Sequence, residues 1–309
     1  MPEQKVYPTL KIGLLIVAVA YFLFTLHGTV TIEWIGEWDR IATPGSFLST
    51  VILVEDVAGF VGFLFRLAAS IAALSGVILH YQRKSLPAPT VNKILRVVFV
   101  GEAVYWLGLL PSGILGFYLD ASSQLPPLQL VPSLLTNDTA LLIQSIVIPV
   151  LLFKLAYEIA PNKPVKKTIK WGLITGTVYI LAFWLTNTGL WLLTVFSNGV
   201  DYLISYPENL LSLIVTAFGM LALTVYAAYF AKKSVGTETL ERLKKKPLGV
   251  IVTGLGLFFF WNYLSWVFFG KDVTWSLWYA WFLGHNLDLW MLALPLVGLP
   301  LLFERKASN

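Results

Sequence analysis

Cysteine is absent from the 309 residues. That excludes structural disulfides, cysteine-ligated zinc, iron–sulfur clusters and a thiol nucleophile. Methionine is nearly as scarce, at 3, and a chain poor in both leans toward the composition of thermophilic proteins. Charge is also in short supply: 13% of residues are charged, against about 25% in a soluble domain. Catalytic signatures are missing too. The chain has no G-x-S-x-G, no H-E-x-x-H, no Walker A segment and no G-x-G-x-x-G opening a helix, the motifs that carry nucleophiles, zinc or nucleotide phosphates. Glu55-Asp56 is its one adjacent acidic pair, too little for the Mg²⁺-held diphosphate chemistry of prenyl or phosphatidyl transfer.

What is abundant is apolar. Hydrophobic residues make up 57% of the chain and mean hydropathy is +0.74. Apolar runs near 20 residues recur along its whole length, and that length crosses a ~30 Å hydrocarbon layer as a helix. The runs fall at 9–30, 57–80, 94–118, 139–158, 170–196, 208–231, 248–269 and 276–303. They predict an all-α integral membrane bundle of about eight helices, with residues 1–309 forming a single transmembrane domain. Gly45 to Leu53 is also apolar and reads either as an interfacial helix or as the outer extension of a long second helix. The first run reads as a span and not as a cleaved signal, because Gly28-Thr29-Val30-Thr31 lacks an A-x-A pattern. No internal repeat points to an inverted-repeat transporter. Pro111, Pro149, Pro295 and Pro300 lie within spans, where each removes a helical hydrogen bond and permits a kink.

The net charge of +5 is explained by where the cations stand. Eighteen of the 22 Lys and Arg fall in alternate connecting segments: Lys5 and Lys11; Arg83, Lys84, Lys93 and Arg96; Lys163, Lys166, Lys167 and Lys170; Lys232, Lys233, Arg242 and Lys244 to Lys246; Arg305 and Lys306. Only Arg40 and Lys271 fall in the opposite loops. This asymmetry predicts a multi-pass protein of the cell membrane with both termini cytoplasmic, and it makes nucleic acid an unneeded partner. The opposite side carries Glu33, Glu37, Asp39, Asp120, Asp138, Asp201, Glu208 and Asp272. Trp34, Trp38, Trp191, Trp266, Trp275 and Trp278 cluster near the same boundary, as residues anchored at headgroup level do. Glu33, Trp34, Glu37 and Trp38 suit a short surface helix with its Trp face in the headgroups. Asn137-Asp138-Thr139 fits the N-glycosylation sequon and lies on the outer side.

An ionisable residue deep in a span is a functional-site hypothesis by default, because burial there is costly. Arg66, Glu102, His285 and Asp288 qualify and form the predicted mid-membrane polar site. At ~1.5 Å per residue, Arg66 lies about 13 Å and Asp288 about 18 Å below the outer surface. Glu102 enters from the other side to a similar level. One reading is a buried ion pair of Arg66 with Glu102 or Asp288 that fixes helix registry. Others are a proton- or electron-transfer site, or a substrate pocket. His285 and Asp288 stand three residues apart on one helix face, where the carboxylate can orient the imidazole. Gly284 beside them leaves room for a neighbouring helix or a flat ring. His27 and His285 are the candidate ligands for a b-type haem, although their depths differ by roughly 8 Å. His80 sits at the cytoplasmic boundary, and Lys154 is placed to snorkel. No metal ligand set is expected.

The segment Trp281-Phe282-Leu283-Gly284-His285 resembles the helix of haem–copper oxidases that begins W-x-x-G-H and carries a copper ligand. The likeness covers that one helix and then departs. Asn286 and Leu287 stand where that family has Pro and Glu, Leu289 replaces its Tyr, and the chain has no His-His pair. In size, aromatic richness and lack of cysteine, the chain resembles the hydrophobic membrane subunits of archaeal b-type cytochrome and other respiratory complexes. That resemblance implies a non-catalytic subunit of an electron-transfer complex. Such a subunit would sit in the lipid bilayer, anchor other membrane or extracytoplasmic subunits, and contact haem b or quinone. The competing expectation is a small-solute or ion transporter using Arg66, Glu102 and Asp288. A lipid- or glycan-modifying enzyme comes third, with no catalytic constellation to support it.

Overall fold

The computed structural model describes residues 8–31, 47–82, 86–115, 139–159, 164–198, 210–211, 213–239, 243–269 and 289–303. Nearly all of them are helical, and no strand occurs among them. The helices are α1 (Pro8–Thr31), α2 (Phe47–Gln82), α3 (Ala88–Gly108), α4 (Thr139–Glu158), α5 (Val165–Asn198), α6 (Met220–Ser234), α7 (Lys245–Phe269) and α8 (Leu294–Leu302). A π-helical turn, Ile214–Gly219, leads into α6, and a 3-10 turn, Leu289–Ala293, leads into α8. Among the described residues, six stretches are long and apolar enough to cross a membrane: Thr9–Val30, Leu53–Gln82, Ala88–Leu115, Leu141–Glu158, Val165–Leu185 and Ile214–Ser234.

The radial distribution of side chains is that of a bundle facing hydrocarbon. Leu23, Val57, Val97, Val150, Leu185, Phe218 and Leu257 are exposed on the outward faces, whereas Ala18, Ala69, Ala103 and Ala227 are buried. Large apolar groups gain nothing by turning inward when the surroundings are as apolar as they are. Small ones do, since they let backbones approach. This distribution fits contact with a lipid bilayer.

Each helix packs beside its neighbours in sequence, from α1 against α2 through to α7 against α8, and α8 closes onto α1. Short connections such as 83–87 and 159–164 favour such antiparallel neighbours. From Phe47 onward the Gly45 to Leu53 run belongs to the second helix: α2 is one continuous helix of 36 residues, about 54 Å long. In the third apolar run the helix is interrupted at Leu109, whose N–H reaches back to the Trp106 carbonyl at 3.2 Å, and it resumes over 110–115. Pro111, two residues on, has no N–H and its ring crowds the carbonyl four residues back. Pro149 is accommodated within α4 and is fully buried. Pro295 sits in the first turn of α8, where the 3-10 segment gives way to α-helix, a position at which its missing N–H costs nothing.

Two apolar clusters fill the described interior. Phe63, Ala103, Tyr105, Trp106, Ile148 and Leu152 pack α2, α3 and α4 together, with Tyr179 and Ala182 of α5 against them. Ile180, Met220, Ala227 and Phe258 do the same for α5, α6 and α7.

Candidate functional site

Arg66 is the largest fully buried side chain among the described residues, 1% exposed. Its surroundings explain how the bundle holds it. On α2 it stands between Gly62 and Ala69, and on α3 Glu102 follows Gly101. A Cβ at Gly101 would stand 2.6 Å from the Phe65 carbonyl oxygen, and one at Gly108 the same distance from that of Ala58. A Cβ at Gly62 would meet the Tyr105 carbonyl oxygen at 3.1 Å. The missing side chains let the two backbones come nearly into contact, as small residues one turn apart do in membrane helix pairs. That proximity brings Arg66 and Glu102 together.

Arg66 Nε donates to Glu102 Oε1 at 3.0 Å. The Tyr21 hydroxyl, from α1, donates to the same oxygen. The guanidinium carbon lies 4.1 Å from the centroid of the Tyr105 ring and 5.8 Å from that of Tyr21. The charge is therefore met three ways: by a carboxylate, by hydrogen bonding and by the negative faces of two aromatic rings. Glu102 retains 18% exposure, so the carboxylate is the member of the group nearest an opening. Chemically, the arrangement holds a carboxylate beside a phenol and a fixed cation, so opposite charges neutralise each other where a lone charge would be costly.

From this group a row of rings runs through the bundle. Phe63 and Tyr105 meet edge to face at 5.0 Å, then come Tyr105–Trp106 at 6.0 Å and Trp106–Tyr179 at 6.0 Å. Tyr179 stacks on Phe183 at 6.2 Å, and Phe183 lies 4.5 Å from Phe259 of α7. These separations fall in the favourable range for aromatic pairs.

Of the predicted residues, the described structure brings Arg66 and Glu102 together. His285 and Asp288 lie outside the described residues, as do Arg40, Asn137 and the Trp34 and Trp38 segment. His27 is in α1, six residues beyond Tyr21, and half-buried. His80 is in the last turn of α2. Among the described residues no cluster of His, Asp and Glu could hold a metal ion. Lys154 does more than reach for the boundary: its Nζ is 2.9 Å from Glu158 Oε1, over the rings of Tyr157 and Trp171 at 5.2 and 5.5 Å. Thr168 closes that corner by donating to the Glu158 carbonyl at 2.8 Å.

Sequence reasoning missed Tyr21, although a depth count could have found it. Tyr21, Arg66 and Glu102 lie about 20, 24 and 21 Å from the basic-side ends of α1, α2 and α3, at ~1.5 Å per residue. It also missed the π turn, whose Ala217 carbonyl accepts the Met220 N–H and the Trp184 indole N–H, the latter at 2.8 Å. π turns mark functional segments more often than regular helix does. No protein-family model, curated protein or solved structure matches this chain.

Proposed function

We propose that the chain is an integral membrane subunit of a respiratory or other electron-transfer complex. In this reading it crosses the cell membrane about eight times, with both termini in the cytoplasm. The observation that carries it is the aromatic row leading from the Arg66–Glu102–Tyr21 group through Tyr105, Trp106, Tyr179 and Phe183 to Phe259. Tyr and Trp are the side chains whose rings give up an electron most readily, and here three of them stand in succession. The phenol of Tyr21 already donates to Glu102, so a proton leaving that ring has an adjacent acceptor. The alternation of Lys and Arg between connecting segments supports the orientation. Haem b or quinone would be contacted here or held by a partner subunit, with His27 and His285 as the candidate ligands on this chain.

The test is an absorption spectrum of the complex purified through a tag on this chain, reduced minus oxidised. A b-type band or a bound quinone, co-purifying with other subunits, is expected. A chain that purifies alone from native membranes, with no chromophore and no quinone, overturns the reading. His285→Leu refines the outcome: a redox role shifts or removes the band in an assembled complex, whereas a packing role lowers yield and leaves the spectrum unchanged.

A transporter is the second reading. It is favoured by Glu102 being partly exposed while bound to both Arg66 and Tyr21, because protonating that carboxylate would loosen the pair and couple a proton to a rearrangement of α1, α2 and α3. Proton-driven solute uptake into vesicles containing the purified chain, abolished by Glu102→Gln, would favour it over the electron-transfer reading.

A further inference from the structure

The outward face of α6 and its seam with α7 carry two adjoining apolar grooves. One, of about 400 Å³, is lined by Gly219, Ala222, Leu223 and Tyr226 together with Val250 and Leu257 of α7. The other, of about 510 Å³, is lined by Phe218, Leu221, Ala222, Val225, Tyr226 and Tyr229. Ala222 and Tyr226 are common to both, so the grooves lie side by side along one ridge. Missing side-chain bulk deepens the first of them: a Cβ at Gly219 would stand in open space. At one end of the grooves the surface is basic. Lys232 and Lys233 close α6, Lys244 directly precedes α7, and Lys245 and Lys246 open it; all five are exposed. The loop between them contributes the exposed acid Glu238 among its described residues. Tyr226 is about 10 Å along α6 from Lys233, and Val250 about 6 Å along α7 from Lys246. Tyr229 lies between, with the Lys233 ammonium 4.5 Å from its ring centroid, the composition of a headgroup-level anchor.

We infer that this face binds one anionic phospholipid, its phosphate at the lysines that end α6 and begin α7 and its two acyl chains in the grooves on either side of the Ala222–Tyr226 ridge. The occupant follows from complementarity. Paired apolar channels suit a two-chain lipid, and their shared basic end suits an anion; basic pockets between membrane helices are sites of this kind. The inference rests on the membrane reading above, and its test separates the two.

The full chain, purified in detergent, is titrated with phosphatidylglycerol or with phosphatidylcholine of the same acyl chains, and bound lipid is counted by native mass spectrometry. Phosphatidylglycerol should be retained preferentially. Lys232→Gln with Lys233→Gln should weaken its binding by roughly tenfold or more, since each lysine near an anionic headgroup is worth roughly a factor of five. Ala222→Trp is an exposed change that fills both grooves and leaves the interior untouched, and it should abolish retention. Equal retention of the two lipids overturns the headgroup assignment, and undiminished binding in the Trp variant overturns the groove assignment. A chain that needs detergent for extraction yet holds no phosphatidylglycerol refutes this site alone. A chain recovered from lysate without detergent refutes the membrane reading as well.

Discussion

Replacing Glu102 by Gln removes the carboxylate charge from a site where Arg66 is 1% exposed and its Nε is 3.0 Å from the acid. Breaking a buried pair by deleting one partner costs about 3–5 kcal/mol in soluble proteins. In a bilayer the penalty for a central charge is about 2.5–3.5 kcal/mol on insertion scales, so a loss near 3 kcal/mol is expected. Two features pull Glu102→Gln toward the low end. The amide oxygen still accepts a hydrogen bond, and the Tyr105 ring at 4.1 Å keeps a cation–π attraction worth up to about 2 kcal/mol when desolvated. Arg66→Leu removes the cation but leaves Glu102 partly exposed and still accepting from the Tyr21 hydroxyl, and should cost a similar amount. The double variant buries no uncompensated charge. It should fall short of the summed single losses by about 2–3 kcal/mol, the upper range for residues in direct contact. Unfolding in mixed micelles, followed by tryptophan fluorescence, measures all three variants against the parent. Losses that add within about 0.5 kcal/mol would mean the two side chains do not depend on each other, and the argument for a coupled site would fail.

The same geometry makes three further expectations. Tyr21→Phe removes a hydrogen bond to a charged acceptor and should cost about 1.5–3 kcal/mol; in the background of Glu102→Leu, where that acceptor is gone, the same change should cost clearly less in the same titration. Gly101→Leu drives a side chain into the Phe65 carbonyl, where even a Cβ would stand at 2.6 Å. It should lose more stability than the about 1–3 kcal/mol of ordinary overpacking, whereas Gly176→Leu on α5, where a Cβ meets nothing within 4 Å, should be tolerated in expression and thermal melting. Trp184→Phe deletes the indole donor to Ala217, whose carbonyl keeps the Met220 N–H, and should cost about 0.5–1.5 kcal/mol for the lost hydrogen bond. Hydrogen exchange at 214–219 should rise in that variant while exchange in α3 is unchanged.

The helices were legible because spans announce themselves by length and apolarity. α4 coincides with the run read from sequence, and α1 and α7 differ from theirs by a few residues. The charged pair was legible for the complementary reason: Arg66 and Glu102 interrupt apolar runs where almost nothing polar is affordable. Glycine packing is harder to read, since Gly59 and Gly62 look alike in sequence and only the second faces a neighbouring backbone. The aromatic row was hidden by abundance. With 12 Trp, 13 Tyr and 20 Phe in the chain, no spacing singles out Trp106, Tyr179 and Phe183, and their alignment depends on how α3, α5 and α7 meet. Tyr21 was hidden by chemistry, because a lone Tyr in a span is an ordinary amphipath until a carboxylate is found at its hydroxyl. The π turn has no sequence mark: Ile214 to Gly219 reads as an unremarkable apolar stretch.

The account's central claim is that the chain threads a membrane about eight times, with the basic connections on one side. Substituted cysteines test it directly, because the natural chain has none. Ser123→Cys and Gly236→Cys are each labelled with a membrane-impermeant maleimide in intact cells and in inverted vesicles. The account predicts that the cysteine at 123 reacts in cells and the one at 236 only in inverted vesicles. Reaction of 123 only from the inside, or of both positions from one side, would contradict it.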